Sequence, residues 1–319
     1  MERPTLTLIT PAFNEQESLP NFFAAVIPVL ESTGESFEVI VVNDGSRDKT
    51  AEIIREFCAK DKRIKAIDLS RNFGQMAAIY CGMEHASGQA VIVMDADLQD
   101  SPETITDMLA KWKEGFDVVH ARRTVRKGET FFKKFTSLMF IKTTNRLAGL
   151  DMPEDSGEFK LYDRKVVDAL LDMPERSKYL RAQIAWVGFK QADVFFERKE
   201  RAAGVTKYNA KKMFSLAETA IIPNSYVPFK ITSIIGLSGA FLSFAAYIAF
   251  VILTIVGKPL PLAAWLLPTI TLCTSVVLIA NAVTNKYIRY IYDDVKNRPV
   301  YIEREKINFQ DQSTYDDNL

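Results

Sequence analysis

Five short apolar runs punctuate the first 125 residues, and amphipathic stretches separate them. TLTLIT (5–10), FEVIVVN (37–43), IKAIDL (64–69), AVIVMD (90–95) and FDVVHA (116–121) are rich in Val and Ile and read as buried strands. Helical patterns fill the gaps at 17–31, 48–60, 73–86 and 102–114. Two of them carry start signals. Asp48 is a cap for the second, and Ser101-Pro102-Glu103 offers a cap residue, a proline in the first turn and an early acid. Strand–helix alternation predicts a mainly parallel sheet covered on both faces. Ligands in such sheets bind beyond the carboxyl ends of the strands. Polar clusters stand at those ends, at 11–15, 43–46, 70–72, 95–100 and 122–123.

The pattern changes after Lys230. From there to Lys286 the only charged side chain is Lys258. The uncharged runs 231–256 and 259–285 hold 26 and 27 residues. As helices they are roughly 40 Å long, enough for a hydrocarbon core of about 30 Å. They predict two transmembrane helices, about 231–256 and 260–284, with Pro268 a tolerated kink. The short link GKPLP makes the pair a hairpin within 229–285, so its two flanks share one side. Lys207, Lys211, Lys212 and Lys230 precede it, and Lys286, Arg289, Lys296 and Arg298 follow. The positive-inside rule then puts residues 1–228 and the tail 286–319 in the cytoplasm. Segments 131–149 and 209–222 are amphipathic. They read either as core-facing helices or as juxtamembrane helices lying in the lipid interface. Residues 1–10 lack the basic-then-apolar order of a signal peptide. The tail after Tyr301 is polar, and disorder is expected for 310–319.

Composition narrows the chemistry. In 319 residues, 40 Lys and Arg balance 40 Asp and Glu, which leaves no global pull toward nucleic acid. Cys58, Cys81 and Cys273 are scattered, which fits a reducing compartment and no disulfide or zinc framework. Asp95 and Asp97 end a clear strand, where two carboxylates at i and i+2 either flank a solvated turn or converge on a cation. Hard oxygen ligands suit Mg2+ or Mn2+, and Gln99 adds a carbonyl oxygen. In NDGSRDKT, Asp44 can accept from a base or ribose, although the same residues also make a turn and a helix cap. In TPAFNEQESLP, Glu15 and the backbone can hold a base. Cations follow later in the chain: Arg123, Arg126, Arg201 and Lys207. Arginine suits forked contacts with a diphosphate, while any one of these alone reads first as a solvated surface group.

Taken in order, TPAFNEQESLP, VVNDGSRDKT, LSRNFGQMAAIYCGM, VMDADLQDSPE, DSGEFKLYDRKVVDAL, MPERSKYLRAQIAWVGF, ERAAGVTKY and IYDDVKNRPVYI resemble the polyprenyl-phosphate glycosyltransferases of glycosyltransferase family 2. These include bactoprenol glucosyltransferases and dolichol-phosphate mannose synthases, and the likeness spans about residues 5–302. The resemblance implies an α/β fold. A GT-A nucleotide-diphospho-sugar transferase domain, with a mainly parallel, Rossmann-like sheet, precedes a two-helix transmembrane hairpin. By position it implies Asp95, Asp97 and Gln99 at a metal and diphosphate centre holding Mg2+ or Mn2+. Pro11, Glu15 and Asp44 fall in the nucleotide pocket, and Arg123, Arg201 and Lys207 hold donor or acceptor phosphates. Asp97, Glu158, Arg201 and Lys207 are the catalytic set it implies. The family's usual Gly-Asp-Phe is Gly157-Glu158-Phe159 here, one methylene longer. IIPNSYVPFK (221–230) replaces the usual Ser-Phe-Ser run.

The implied reaction is inverting, metal-dependent hexose transfer from a nucleotide sugar to polyprenyl (undecaprenyl) phosphate. It takes place on the cytoplasmic face of a bacterial inner membrane, and its product is a donor for cell-envelope glycan modification. UDP-glucose is the first donor expected; UDP-N-acetylglucosamine, UDP-galactose and GDP-mannose stay open. Relatives of this kind form tetramers, so a homo-oligomer is allowed. A processive polysaccharide synthase is a rival, but QIAW (183–186) lacks the arginine of the Gln-x-x-Arg-Trp motif. A non-catalytic membrane scaffold is another.

Overall fold

The computed structural model describes residues 3–123, 156–176, 178–196, 227–257 and 261–309. They fall in two compact units, one comprising 1–141, 151–207 and 299–319, the other 142–150 and 208–298.

In the first unit the apolar runs become the strands β1 (Leu6–Ala12), β2 (Phe37–Asn43), β3 (Ile64–Leu69), β4 (Ala90–Val93) and β5 (Val118–Arg123). Between them lie α1 (Leu19–Ser32), α2 (Thr50–Lys60), α3 (Gln75–His85) and α4 (Thr104–Lys113). β6 (Ser156–Asp163), α5 (Arg164–Leu171), α6 (Leu180–Val187), β7 (Gln191–Phe196) and β8 (Glu303–Ile307) complete the unit. The sheet order is β7-β5-β6-β4-β1-β2-β3-β8. β3, β2, β1 and β4 run parallel, β6 is antiparallel to both its neighbours, and β8 is antiparallel to β3.

Every residue of β2 and β4 is buried, as their unbroken Val and Ile content requires of strands covered on both faces. One face packs on α1, α2 and α4 through Phe22, Phe23, Ile54, Ile105 and Met108. The other packs on α3, α5 and α6 through Ile79, Met83, Val166, Leu170 and Ile184. Burying each such side chain stabilises the fold by about 1.5–3 kcal/mol. α3 lies close on the sheet because Gly82 has no side chain. A Cβ there would sit 2.4 Å from Ile9 Cγ2, so Gly82→Ala forces helix and strand apart.

Pro11 sits within β1 without costing a ladder bond. Ile9 O accepts from Met94 N on the β4 side, and Ala12 O accepts from Asp44 N on the β2 side. Alternation turns Pro11 toward β4, past the last β1–β4 pair at Ile9 and Val93, where no partner needs its missing amide.

Two helix starts differ from the sequence expectation. α2 begins at Thr50 with Lys49 as its cap residue, and Asp48 acts from one position earlier, accepting from Thr50 N at 3.1 Å. α4 begins at Thr104 after a separate turn closed by Thr104 N to Ser101 O at 3.1 Å, so Pro102 precedes the helix. β8 is a strand in a tail that offered no apolar pattern. It is an edge strand with exposed charges, held by Arg304 on Asp68 (2.6 Å) and by Asn308 Nδ2 donating to Cys58 O and Ile64 O, each at 2.7 Å.

The second unit contains α7 (Val227–Ile255) and α8 (Leu262–Lys296). Gly236 and Gly239 of α7 face Val276 of α8, small residues that permit close helix packing. Among the described residues, one segment is long and apolar enough to cross a membrane: the 22 residues Ile234–Ile255 of α7. Its outward side chains are uncovered, Leu237 at 75% and Phe241 at 71% exposure. The second expected span falls mostly within α8. The amphipathic segments 131–149 and 209–222, and the terminal 310–319, lie outside the described residues.

Candidate active site

The carboxyl ends of β1, β2, β3 and β4 share one sheet edge. β6 runs the other way, so its start reaches that edge. Val93 pairs with Lys160, which sets Glu158, two residues earlier on β6, level with Asp95, two residues later on the β4 side. Residues 63 positions apart in the chain are thus set level by register alone.

After β4 the chain turns sharply. Leu98 has φ +53°, in the left-handed region a branched side chain avoids, at a cost of about 1–3 kcal/mol. Its packing at the rim of the core holds it there. Asp97 is exposed, and its Oδ1 accepts from Gln99 N at 3.1 Å. Gln99 is buried, yet its Oε1 has no hydrogen-bond partner among the described residues. Asp95 is half-buried and accepts from Gln75 Nε2 at 2.8 Å. Burial first, and then the charges of Asp97, Asp100 and Glu158, push the Asp95 carboxyl up to about 7.

The loops after β1 and β2 lock together beside this turn. Glu15 N donates to Thr50 Oγ1 at 2.8 Å, Asn14 N to Ser46 Oγ at 2.9 Å, and Arg47 N to Asn14 Oδ1 at 2.9 Å. Burial raises the Glu15 carboxyl, Ser18 partly offsets this by a hydrogen bond, and Asp97 and Asp48 raise it further. Asp44 is buried and engages both oxygens with backbone amides: Phe73 N at 2.7 Å and Gly74 N at 2.9 Å. Burial nonetheless holds its carboxyl above the ordinary value. Gly45 has φ +65°, and a Cβ on it would meet Arg71 C at 2.4 Å, so the turn after Asp44 needs glycine. Asp44 therefore fixes the start of α3, whose first residue, Gln75, orients Asp95.

Glu158 is flanked by cations. Arg181 Nε on α6 donates to its Oε1 at 2.9 Å, and Lys160 Nζ lies 3.5 Å from its Oε2. Burial would raise the Glu158 carboxyl, but Lys160 and Arg181 together hold it below the usual carboxylate value.

Among the expected site residues, Asp95 lies within electrostatic reach of Asp97 and Glu158, and Glu15 within reach of Asp97. Pro11 and Asp44 stand on the adjacent strand ends. Arg123 closes β5 in register with Phe196 of β7. Arg126, Arg201 and Lys207 lie outside the described residues. Gln75, Lys160 and Arg181 escaped the sequence reading. Each lies in a family-like stretch, but nothing local marks its partner.

A mainly parallel α/β sheet with acidic loops gathered at its carboxyl edge is a GT-A-like architecture. A family model described as glycosyl transferase family 2 matches residues 7–171. The chain belongs to that family and is a glycosyltransferase. It is 40% identical to an uncharacterized glycosyltransferase, YkcC, of Bacillus subtilis, over 98% of this chain and 97% of the relative. It is 37% identical to a prophage-derived bactoprenol glucosyl transferase of Shigella flexneri, covering 93% of this chain and 96% of that one. A prophage bactoprenol glucosyl transferase homolog of Escherichia coli is 36% identical, over 93% and 97% of the two chains. Among solved structures, glucosyl-3-phosphoglycerate synthase of Mycobacterium tuberculosis, with Mn2+, UDP and phosphoglyceric acid, aligns with a TM-score of 0.49 and 17% identity, covering 69% of this chain and 76% of that one.

Proposed function

We propose that this glycosyltransferase moves a hexose, glucose from UDP-glucose, onto polyprenyl phosphate at the cytoplasmic face of a bacterial membrane. The observation that carries the reading is the turn after β4. There burial, with neighbouring acids adding to it, drives Asp95 up to about 7, and the buried Gln99 Oε1 lacks a partner among the described residues. A cation relieves both. The donors are hard oxygens, so Asp95, Asp97 and Gln99 fit Mg2+ or Mn2+. When bound, that ion supplies positive charge to the leaving nucleoside diphosphate.

The chain's own groups do the rest. Gln75 holds the Asp95 carboxylate in place. Pro11, Glu15 and Asp44 border the nucleotide pocket, and Asp44 keeps the Phe73–Gly74 turn rigid beside it. Arg123, Arg201 and Lys207 are the cations assigned to donor and acceptor phosphates. An acceptor phosphate is already anionic near neutral pH, so the reaction asks for positioning and charge neutralisation rather than a strong base. A single in-line displacement inverts the anomeric centre. The uncovered apolar surface of α7 supports membrane insertion, and in this reading α8 supplies the second span. The bactoprenol glucosyl transferase relatives support the lipid acceptor and the glucosyl donor.

The test is a panel of labelled nucleotide sugars with polyprenyl phosphate and Mg2+ or Mn2+. One glucose per lipid from UDP-glucose is expected. Transfer from GDP-mannose instead changes the donor, several sugars per lipid make the enzyme processive, and no lipid-linked sugar with any donor overturns the reading.

A further inference from the structure

Beneath the acidic turn lies a lysine that the mechanism above leaves unused. Lys160 is 1% exposed, in the middle of β6, paired in register with Val93 on one side and His120 on the other. Its Nζ donates to Gly157 O at 2.5 Å and lies 3.5 Å from Glu158 Oε2. That oxygen is buried and has no hydrogen-bond partner among the described residues, so the Lys160 charge is what serves it there. An ammonium this deep is unfavourable unless an anion compensates it. Asp95 adds to that compensation from the loop after β4.

The other groups around Glu158 leave the pairing unambiguous. From α6, Arg181 binds Oε1. Tyr80 of α3, Tyr162 of β6 and Tyr179 before α6 are all held neutral, by burial first and with Glu158 adding to it. His120 on β5 is also neutral, lowered to about 4 by burial and then by Lys160, and its Nε2 is bound to Gln191 Oε1 at 2.7 Å.

We propose that Lys160 is a positioning residue for sugar transfer: a built-in cation that keeps Glu158 a fixed anion, so that Glu158 aims Arg181 at the site and accepts no proton during the reaction. This rests on the transferase reading above. It assigns the longer carboxylate of this chain an anchoring role. A general base would need a higher proton affinity than two flanking cations allow.

The test uses the full chain in lipid, with Lys160→Met, Glu158→Gln and the double variant. Lys160→Met is expected to lower kcat about 100-fold while KM for the nucleotide sugar stays within about twofold, the pattern of lost positioning rather than lost binding. Glu158→Gln should do the same, and the double variant should be no worse than either single one, because both remove one shared device. An infrared spectrum reads Glu158 directly. Lys160→Met should gain a protonated carboxyl band that is absent from wild type and from the double variant. Wild-type kcat in folded Lys160→Met, multiplying losses in the double variant, or a protonated band in wild type that Glu158→Gln removes would each overturn the proposal. If Lys160→Met alone does not fold, the double variant decides: activity equal to Glu158→Gln supports it, and a further loss overturns it. If wild type transfers no sugar to polyprenyl phosphate, the transferase reading fails, and the infrared comparison still decides the role of Lys160.

Discussion

Glu38 and Asp95 are both acids on the central strands or just beyond them, and they meet opposite fates. Glu38, near the start of β2, is 3% exposed and fully partnered. Its Oε1 accepts from Thr7 Oγ1 at 2.6 Å and from Ser87 N and Oγ at 2.8 Å, and its Oε2 pairs with Lys65 at 2.6 Å. Burial alone would raise this carboxyl, yet those partners hold it below its ordinary value. Asp95, at the opposite edge, has one hydrogen bond among the described residues, and burial first and then three acidic neighbours drive it up to about 7. A structural acid is satisfied from within the protein. Asp95 is left short, which is the pattern expected of an acid that a bound cation relieves, as proposed above.

Mutations should separate the two sites cleanly. The largest effect expected is on catalysis at the deficient one: Asp97→Asn should lower kcat by about 1,000-fold while membrane insertion and cooperative melting are kept. Near-normal turnover in purified protein would remove Asp97 from the metal set. Asp95→Asn should cost activity similarly yet melt no lower than wild type without metal, since it deletes a repelled charge. At the satisfied site, Glu38→Gln should lower unfolding free energy by about 2–4 kcal/mol while kcat per folded molecule stays near wild type. A large loss of kcat there would erase the contrast.

The next effect is in pH. Asp95 in the folded chain keeps a proton well above its ordinary value of 3.8, so its own contribution to metal-free stability is greatest at low pH and is lost as pH rises from about 3.8 toward 7. Glu38 works the other way. Its contribution is present above the ordinary 4.5 and is lost as pH falls through its lowered value. Urea unfolding of wild type, Asp95→Asn and Glu38→Gln from about pH 2 to about pH 8, which takes in both groups, should show each variant lacking one limb. Mn2+ affinity, read by calorimetry, should weaken up to about tenfold per unit below 7, because the proton competes. The smallest effect expected is at Gln75. Replacing it by Leu removes the one hydrogen bond aimed at Asp95 and should weaken Mn2+ by about three- to tenfold, leaving melting within about 1 kcal/mol of wild type.

What could be read without coordinates was whatever depends on local burial. Runs of Val and Ile announce strands covered on both faces, and the runs on either side of Lys258 announce helices with no charge to keep in water. The acids after AVIVMD and the polar clusters at 11–15 and 43–46 were visible because each sits at the end of a legible strand. β8 was not visible, since an edge strand buries little and EREKI carries no apolar alternation; Arg304, Asn308 and the β3 edge make it a strand. FKL on β6 reads as an exposed lysine between two core residues, and LRAQ on α6 as an ordinary helix face. Only the antiparallel register of β6 against β4, with α6 laid over that face, brings Lys160, Arg181 and Glu158 into one cluster beside Asp95. Hydrophobic pattern is a property of neighbours in sequence, whereas charge compensation is a property of neighbours in space. The chain alone therefore located the acids, and the folded sheet decided which were satisfied and which were left short of partners.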